Sequence, residues 1–283
     1  MGTIGIVCDS TADQPLEWYA ANNVEMVPLK VLFGEETLLD WVDIAPERFF
    51  ERLKAATALP KTSQPSPADF ETAYRKLADA GATEIVSIHL TSALSGTVES
   101  ANIAASTSPI PVRVVDTKNV TQALGLVVKA AVAVRDAGGD ADAIERTAID
   151  TARSTKLFFV LDTLDYLVKG GRAGKAAGLA ASLLDIKPVL TFNAEGTIEP
   201  FKKERGRKRA FAELAAQVSR DSMTRPVRLA FLHACAPKVA EELQAALDAA
   251  HADYELDSIG LVGAVIGTYA GPEAAGLAYH PVP

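Results

Sequence analysis

Short apolar, β-branched runs alternate along this chain with longer alanine-rich stretches of helical period. Thr3–Val7 reads as a compact strand ending in Cys8-Asp9-Ser10-Thr11, and Glu25–Phe33 as a second strand region. Phe70, Ala73, Tyr74 and Leu77 are spaced i, i+3, i+4, i+7, which predicts a helix from about Pro67 to Ala80. Glu84–His89 is a continuous buried-type strand, Ala101–Ala105 lies in another helix, and Val112–Val115 is a further strand. Helices fit Val120–Asp136, stopped by Gly138-Gly139, and Ala141–Ser154. This β-α-β-α order predicts a parallel sheet with helices on both faces.

Near residue 156 the texture changes. Leu157–Val160 reads as a strand, followed by a helix to Lys169, and Ala176–Leu184 as a small-residue helix. Val189–Phe192 and Ile198–Lys202 flank Asn193–Gly196 as a hairpin. Helix Arg207–Val218, strand Val227–His233 and helix Lys238–His251 follow. The expected architecture is therefore two-domain α/β. Residues 1–155 form a parallel sheet flanked by helices. Residues 156–283 form a second α/β domain with a mixed sheet, and the cleft between the two is a natural ligand site.

Composition narrows the function classes. Among 283 residues, 34 are Gly or Pro, too few for disorder or collagen. Alanine contributes 49, which favours helix and close packing. A net charge of −8 repels phosphate backbones and opposes nucleic-acid binding. Cys8 and Cys235 form no CxxC and are expected to be buried free thiols. No secretory signal is evident at the N-terminus. The best apolar run, Leu124–Val134, carries Lys129 and falls short of the ~18 residues of a membrane span. A cytoplasmic chain without stable membrane insertion is expected.

Two strings, Ser10–Asp13 and Ser66–Asp69, match S-x-x-[DE] and predict capped helix starts, where free N–H groups also stabilise anions. Three strands end in hydroxyl-rich loops: Asp9-Ser10-Thr11, Thr91–Thr97 and Asp116-Thr117. Ligands of open α/β sheets bind outside the carboxyl ends of strands. Thr62-Ser63-Gln64-Pro65-Ser66 adds further hydroxyls and an amide, donors suited to a carboxylate or phosphoryl group. Several enzyme templates fail. No serine sits in G-x-S-x-G, and Gly170–Lys175 departs from a P-loop at Lys169 and Ala176. His89, His233, His251 and His280 lack zinc spacing, so no metal is expected, and His89 and His233 read as satisfied structural histidines. Lys202–Arg209 holds six basic residues in eight. Bases at a helix N-terminus oppose the macrodipole, which points to a functional anion or an acidic partner.

Several strings together resemble the DegV family of bacterial fatty-acid-binding proteins. They are Asp9–Asp13, Lys61–Ser66, Leu90–Thr97, Leu161–Arg172, Ile186–Pro188 and Lys203–Ala210, in family order over essentially the whole chain. The resemblance implies a long-chain fatty acid held between the two domains, and no other cofactor. It places the carboxylate on Thr62 and Ser95, with Ser63, Ser92 and the Gly96 N–H beside them. It further implies a carrier that is not itself an enzyme. A separate fatty acid kinase subunit would phosphorylate the bound carboxylate, with Arg172 and Arg205 near the head group and that partner. One departure stands out: in Thr268–Glu273, Tyr269 replaces a family histidine of the head-group network, and Glu273 replaces a glycine.

The tunnel walls are expected in Ala177–Leu184, Val262–Ile266 and Phe158–Leu161. A rival reading is a hydrolase or phosphotransferase using Ser95 or Ser92 as nucleophile, which needs a base that no histidine is placed by sequence to supply. A further rival, nucleic-acid binding through residues 202–209, runs against the net charge.

Overall fold

The computed structural model describes residues 2–182 and 186–282, without the side chains of 180–182 and 186. Its N-terminal half runs β1 (Thr3–Asp9), α1 (Leu16–Ala21), β2 (Val24–Val27), β3 (Lys30–Phe33), β4 (Glu36–Leu39), α2 (Pro46–Ala55), β5 (Lys61–Ser63), α3 (Pro67–Asp79), β6 (Ala82–His89), α4 (Thr97–Ala105), β7 (Val112–Asp116), α5 (Thr121–Asp136) and α6 (Ala141–Ser154). The remainder runs β8 (Lys156–Val160), α7 (Asp165–Lys169), β9 (Ile186–Phe192), β10 (Ile198–Arg205), α8 (Arg207–Asp221), β11 (Val227–His233), α9 (Pro237–Ala249), β12 (Tyr254–Leu261), α10 (Ala264–Ala270) and β13 (Ala275–Pro281).

Three sheets result. The first, in order β2-β1-β6-β7, is wholly parallel. The second, β10-β9-β8-β13-β11-β12, is mixed: only β11 and β12 pair in parallel. Both agree with the expected architecture. A third, small antiparallel sheet, β4-β3-β5, was not anticipated. It arises because Pro28 interrupts the Glu25–Phe33 run; proline has no N–H for the ladder, so β2 ends and β3 leaves for another sheet.

The capping box at Ser66–Asp69 is present, with Pro67 opening α3. The one expected at Ser10–Asp13 is not. Ser10–Ala12 is a single 3-10 turn capped by Asp9, and Ser10 Oγ donates instead to Asp40 Oδ2 at 2.8 Å. The small-residue helix is a 3-10 segment over Gly174–Ser182, and the rest of it lies outside the described residues. Glycines 174 and 178 weaken α-helix there. Cys8 is buried as expected, whereas Cys235 is only half-buried.

Helix α5 explains how the halves join. It is buried around most of its circumference, from Thr121 to Val132, and such a helix needs apolar partners on more than one side. It packs against β1 on one side and against β11 and β13 on the other. One apolar cluster consequently contains Ile6, Val86 and Leu124 together with Leu157, Leu232 and Val262.

The start of α10 is held by two buried carboxylates. Asp13 Oδ1 accepts the Gly263 N–H at 3.0 Å, and Asp40 Oδ1 accepts that of Ala264 at 2.9 Å. Burial pushes the Asp40 carboxyl up to about 7, although bonds from Ser10, Ala264 and Val265 oppose the shift. Burial, with the neighbouring Asp40 charge, raises Asp13 as well. A carboxyl that holds its proton more tightly folded than unfolded stabilises the fold below its unfolded value, and loses that contribution as pH rises through the folded one. The urea midpoint is therefore expected to fall as pH rises from about 5 to about 8, and Asp40→Asn to flatten that slope. An unchanged slope in the variant would show that Asp40 is not the group titrating.

Candidate functional site

A cavity of about 550 Å³ lies between the two halves. That volume falls within the roughly 300–1,000 Å³ of small-ligand sites. Its walls are aliphatic and aromatic: Leu90 and Val120 come from the first half, and Leu157, Phe159, Phe192, Leu232, Val262 and Ile266 from the second. Val262–Ile266 and Phe159–Leu161 contribute as expected, but Phe158 faces a different core cluster. Among the described residues, Ala177–Leu179 contribute nothing to the wall.

Polar groups gather on loops. Thr62, Ser63 and Gln64 come from β5 and the turn after it, while Ser92, Ser95 and Gly96 lie between β6 and α4. Gln64 ties the two loops together. Its Oε1 accepts the Gly96 N–H at 3.1 Å, and its Nε2 donates to Gly96 O at 3.2 Å and to Ser100 Oγ at 3.1 Å. A Cβ on residue 96 would stand 2.3 Å from the Gln64 side chain, so this close approach requires glycine. The Gly96 N–H, expected to meet a ligand, is thus already engaged. Sequence reasoning grouped Gln64 with the hydroxyls but missed this role, because residues 64 and 96 meet only when β5 and β6 are placed.

Ser95 Oγ lies 2.9 Å from Thr97 Oγ1 and accepts the Thr97 N–H at 3.4 Å, at the start of α4. Thr62 Oγ1 lies 2.5 Å from the Tyr269 hydroxyl. Tyr269, on α10 of the second half, thus meets Thr62 of the first, hydroxyl to hydroxyl. Arg172 completes the arrangement. Its guanidinium stands 5.1 Å from the Tyr269 ring centroid and donates to Gly170 O at 2.8 Å. Any Cβ on residue 170 would meet the Tyr269 ring at 2.4 Å, which is the physical need behind that glycine of the Gly-Gly-Arg turn. Among the described residues no carboxylate pairs with Arg172, and it is the single charged residue in the cavity wall. A guanidinium with donors to spare suits an anionic group.

Not every expected residue converges here. Arg205 lies exposed at the end of β10 and is not part of the cavity wall. The basic run is split, with Lys202–Arg205 in strand and Arg207–Arg209 opening α8. Within it Arg207 is drawn to Glu242 at 3.1 Å, and Lys202 to Glu213 at 3.3 Å. The Asp9-Ser10-Thr11 loop also stays out of the cavity. Asp9 is fully buried and accepts from Thr11 N, Thr11 Oγ1 and Leu90 N, with His89 Nδ1 at 3.1 Å. His89 Nε2 in turn lies 2.6 Å from Ser87 Oγ. Asp9, His89 and Ser87 have the order of a hydrolytic triad, yet all three are 0% exposed and none lines the cavity. A nucleophile must reach its substrate, so this cluster is a structural network, the satisfied histidine expected at position 89.

The cavity thus combines apolar walls with hydroxyl, amide and guanidinium groups, an arrangement suited to a ligand with an apolar body and a polar or anionic head. The chain belongs to the DegV family: the family model, described as "Uncharacterised protein, DegV family", matches residues 3–282. A DegV domain-containing protein of Deinococcus radiodurans is 40% identical over 283 residues, covering 99% of each chain. A DegV family protein from Thermus thermophilus, whose structure is described by its fatty acid binding, superposes with a TM-score of 0.93 at 32% identity over 100% of both chains. DegV of Bacillus subtilis, described as a fatty acid binding protein, does so at 0.90 and 31%, again over 100% of both. Among the described residues no helix is long and apolar enough to cross a membrane.

Proposed function

We propose that this chain binds a long-chain fatty acid in the inter-half cavity and presents it to a separate kinase subunit, which phosphorylates the carboxylate to an acyl phosphate. The cavity itself carries the reading: about 550 Å³ with apolar walls and, among its lining residues, the polar side chains of Thr62, Ser95, Tyr269 and Arg172. The fatty acid binding described for the Thermus and Bacillus relatives supports it. The energetics agree. A chain of about sixteen carbons, at roughly 0.8 kcal/mol per buried methylene, supplies about 12 kcal/mol before entropy losses. A buried carboxylate needs donors or it protonates, and the hydroxyls provide them.

In this reading Thr62 and Ser95 hold the carboxylate, with Ser63 and Ser92 beside them. Arg172 stands over the head group, and Arg205 on the exposed basic run meets an acidic surface of the kinase. The chain acts as a carrier and the kinase supplies ATP chemistry. Organic extraction of the purified protein followed by mass spectrometry is expected to release a C14–C18 acid. Acyl phosphate should appear only when the kinase subunit and ATP are added. A protein that is empty and also ignores added fatty acid would falsify the reading.

A further inference from the structure

The loops that carry Thr62 and Ser95 are joined by one side chain. Gln64 follows β5, and its carboxamide lies along Gly96, bonded to the N–H and the C=O of that one residue. We propose that Gln64 is the positioning residue of the head-group site: it fixes the separation of the Thr62 and Ser95 loops, and so favours a ligand head that bonds to both at once. A carboxylate, with two oxygens, can do so; an alcohol, with one, cannot. The proposal rests on the reading of the cavity as a fatty acid site and deepens it by naming what sets the spacing of its donors.

The bonding pattern fits an amide of this length. Gly96 offers Gln64 one donor and one acceptor, and Ser100 Oγ on α4 offers a second acceptor at 3.1 Å. A carboxamide has one acceptor oxygen and two N–H donors, so it satisfies all three. A carboxylate would lack the donors and an ammonium the acceptor.

The glycine at 96 exists for the same contact. Its φ of −78° and ψ of 13° are open to residues with a side chain, so the backbone alone does not demand glycine. A Cβ there would meet Gln64, with Oε1 at 2.3 Å and Nε2 at 2.5 Å.

The two loops also start from different sheets. Thr62 lies on β5 of the small antiparallel sheet, and Ser95 follows β6 of the parallel one. Among the described residues, the hydrogen bonds that join the 62–66 and 91–97 stretches are those of Gln64. Gln64 itself lines the cavity beside Thr62, Ser95 and Gly96, so a change in the clasp is felt where the ligand head lies.

The test compares palmitic acid and hexadecanol, the same chain with different heads, by displacement of a fluorescent fatty acid. Gln64 is exposed, so its variants leave the core intact. Gln64→Ala is expected to weaken palmitate roughly five- to tenfold and to leave hexadecanol within about twofold, because only the carboxylate needs both loops. Gln64→Glu keeps the shape but not the donors, and at pH 7.5 should be as weak toward palmitate as Gln64→Ala. Gly96→Ala should weaken palmitate by a similar factor alone, since its Cβ displaces the carboxamide, yet cost nothing further in the Gln64→Ala background. Equal loss for both ligands, no loss, a glutamate variant as tight as wild type, or additive losses in the double variant would each overturn the proposal. A wild-type protein that binds neither ligand would instead overturn the fatty acid reading, and this proposal with it.

Discussion

Ile266→Trp is expected to lower affinity for a C16–C18 fatty acid about a hundredfold while the protein still folds. Ile266 sits on α10, lines the cavity and is only partly buried, so a larger side chain has the void itself to occupy. An indole there takes the place of about four methylenes of the ligand. At roughly 0.8 kcal/mol each, that removes about 3 kcal/mol, or about a hundredfold in Kd. The loss should be steep with chain length: a C10 acid would be affected far less than a C18 acid. Isothermal titration of a chain-length series is the measurement. Undiminished binding of stearate would show that the chain does not run past α10.

Asp9→Ala should have the largest effect on stability. The Asp9 carboxylate is fully buried and joins Thr11, Leu90 and His89 at the carboxyl end of the parallel sheet. Its removal strands the Leu90 N–H and the Thr11 hydroxyl, and leaves the His89–Ser87 contact without its anchor. Breaking such a buried network costs about 3–5 kcal/mol. For a chain of this size that corresponds to a fall in Tm of roughly 10 °C. Calorimetry on the variant decides the matter: a drop of only a degree or two would mean that the network contributes little. Ser87→Ala offers a contrast. A hydrolase built on this cluster would lose all activity, whereas a structural serine would shift only stability.

Much of the fold was legible because its signals are local. The i, i+3, i+4, i+7 apolar spacing marks α3, Ser66 and Asp69 cap it as expected, and the continuous apolar run of β6 marks a strand buried on both faces. The signals that misled were also local. Ser10 and Asp13 have the spacing of a capping box, but both side chains are claimed by partners far along the chain: Ser10 by Asp40, and Asp13 by Gly263 and Trp41. A single proline redirected β3 into a sheet with β4 and β5. Neither outcome can be weighed without knowing which distant group is near.

For the candidate site, residue types and order in the sequence sufficed to mark the Thr62 and Ser95 loops and the Gly-Gly-Arg turn. They did not reveal that Gln64 clasps Gly96 or that Tyr269 reaches Thr62. Those pairings span 32 and 207 residues of chain. Hydrogen bonds and ring contacts act only over a few ångströms, so sheet order and the burial of α5 decide which loops come within reach. The alternation of short apolar runs with alanine-rich helices is a property of each segment, and by itself it determined two α/β halves. Only tertiary structure decided that the space between those halves is a cavity with polar loops beside it, because a cavity belongs to surfaces that no single segment contains.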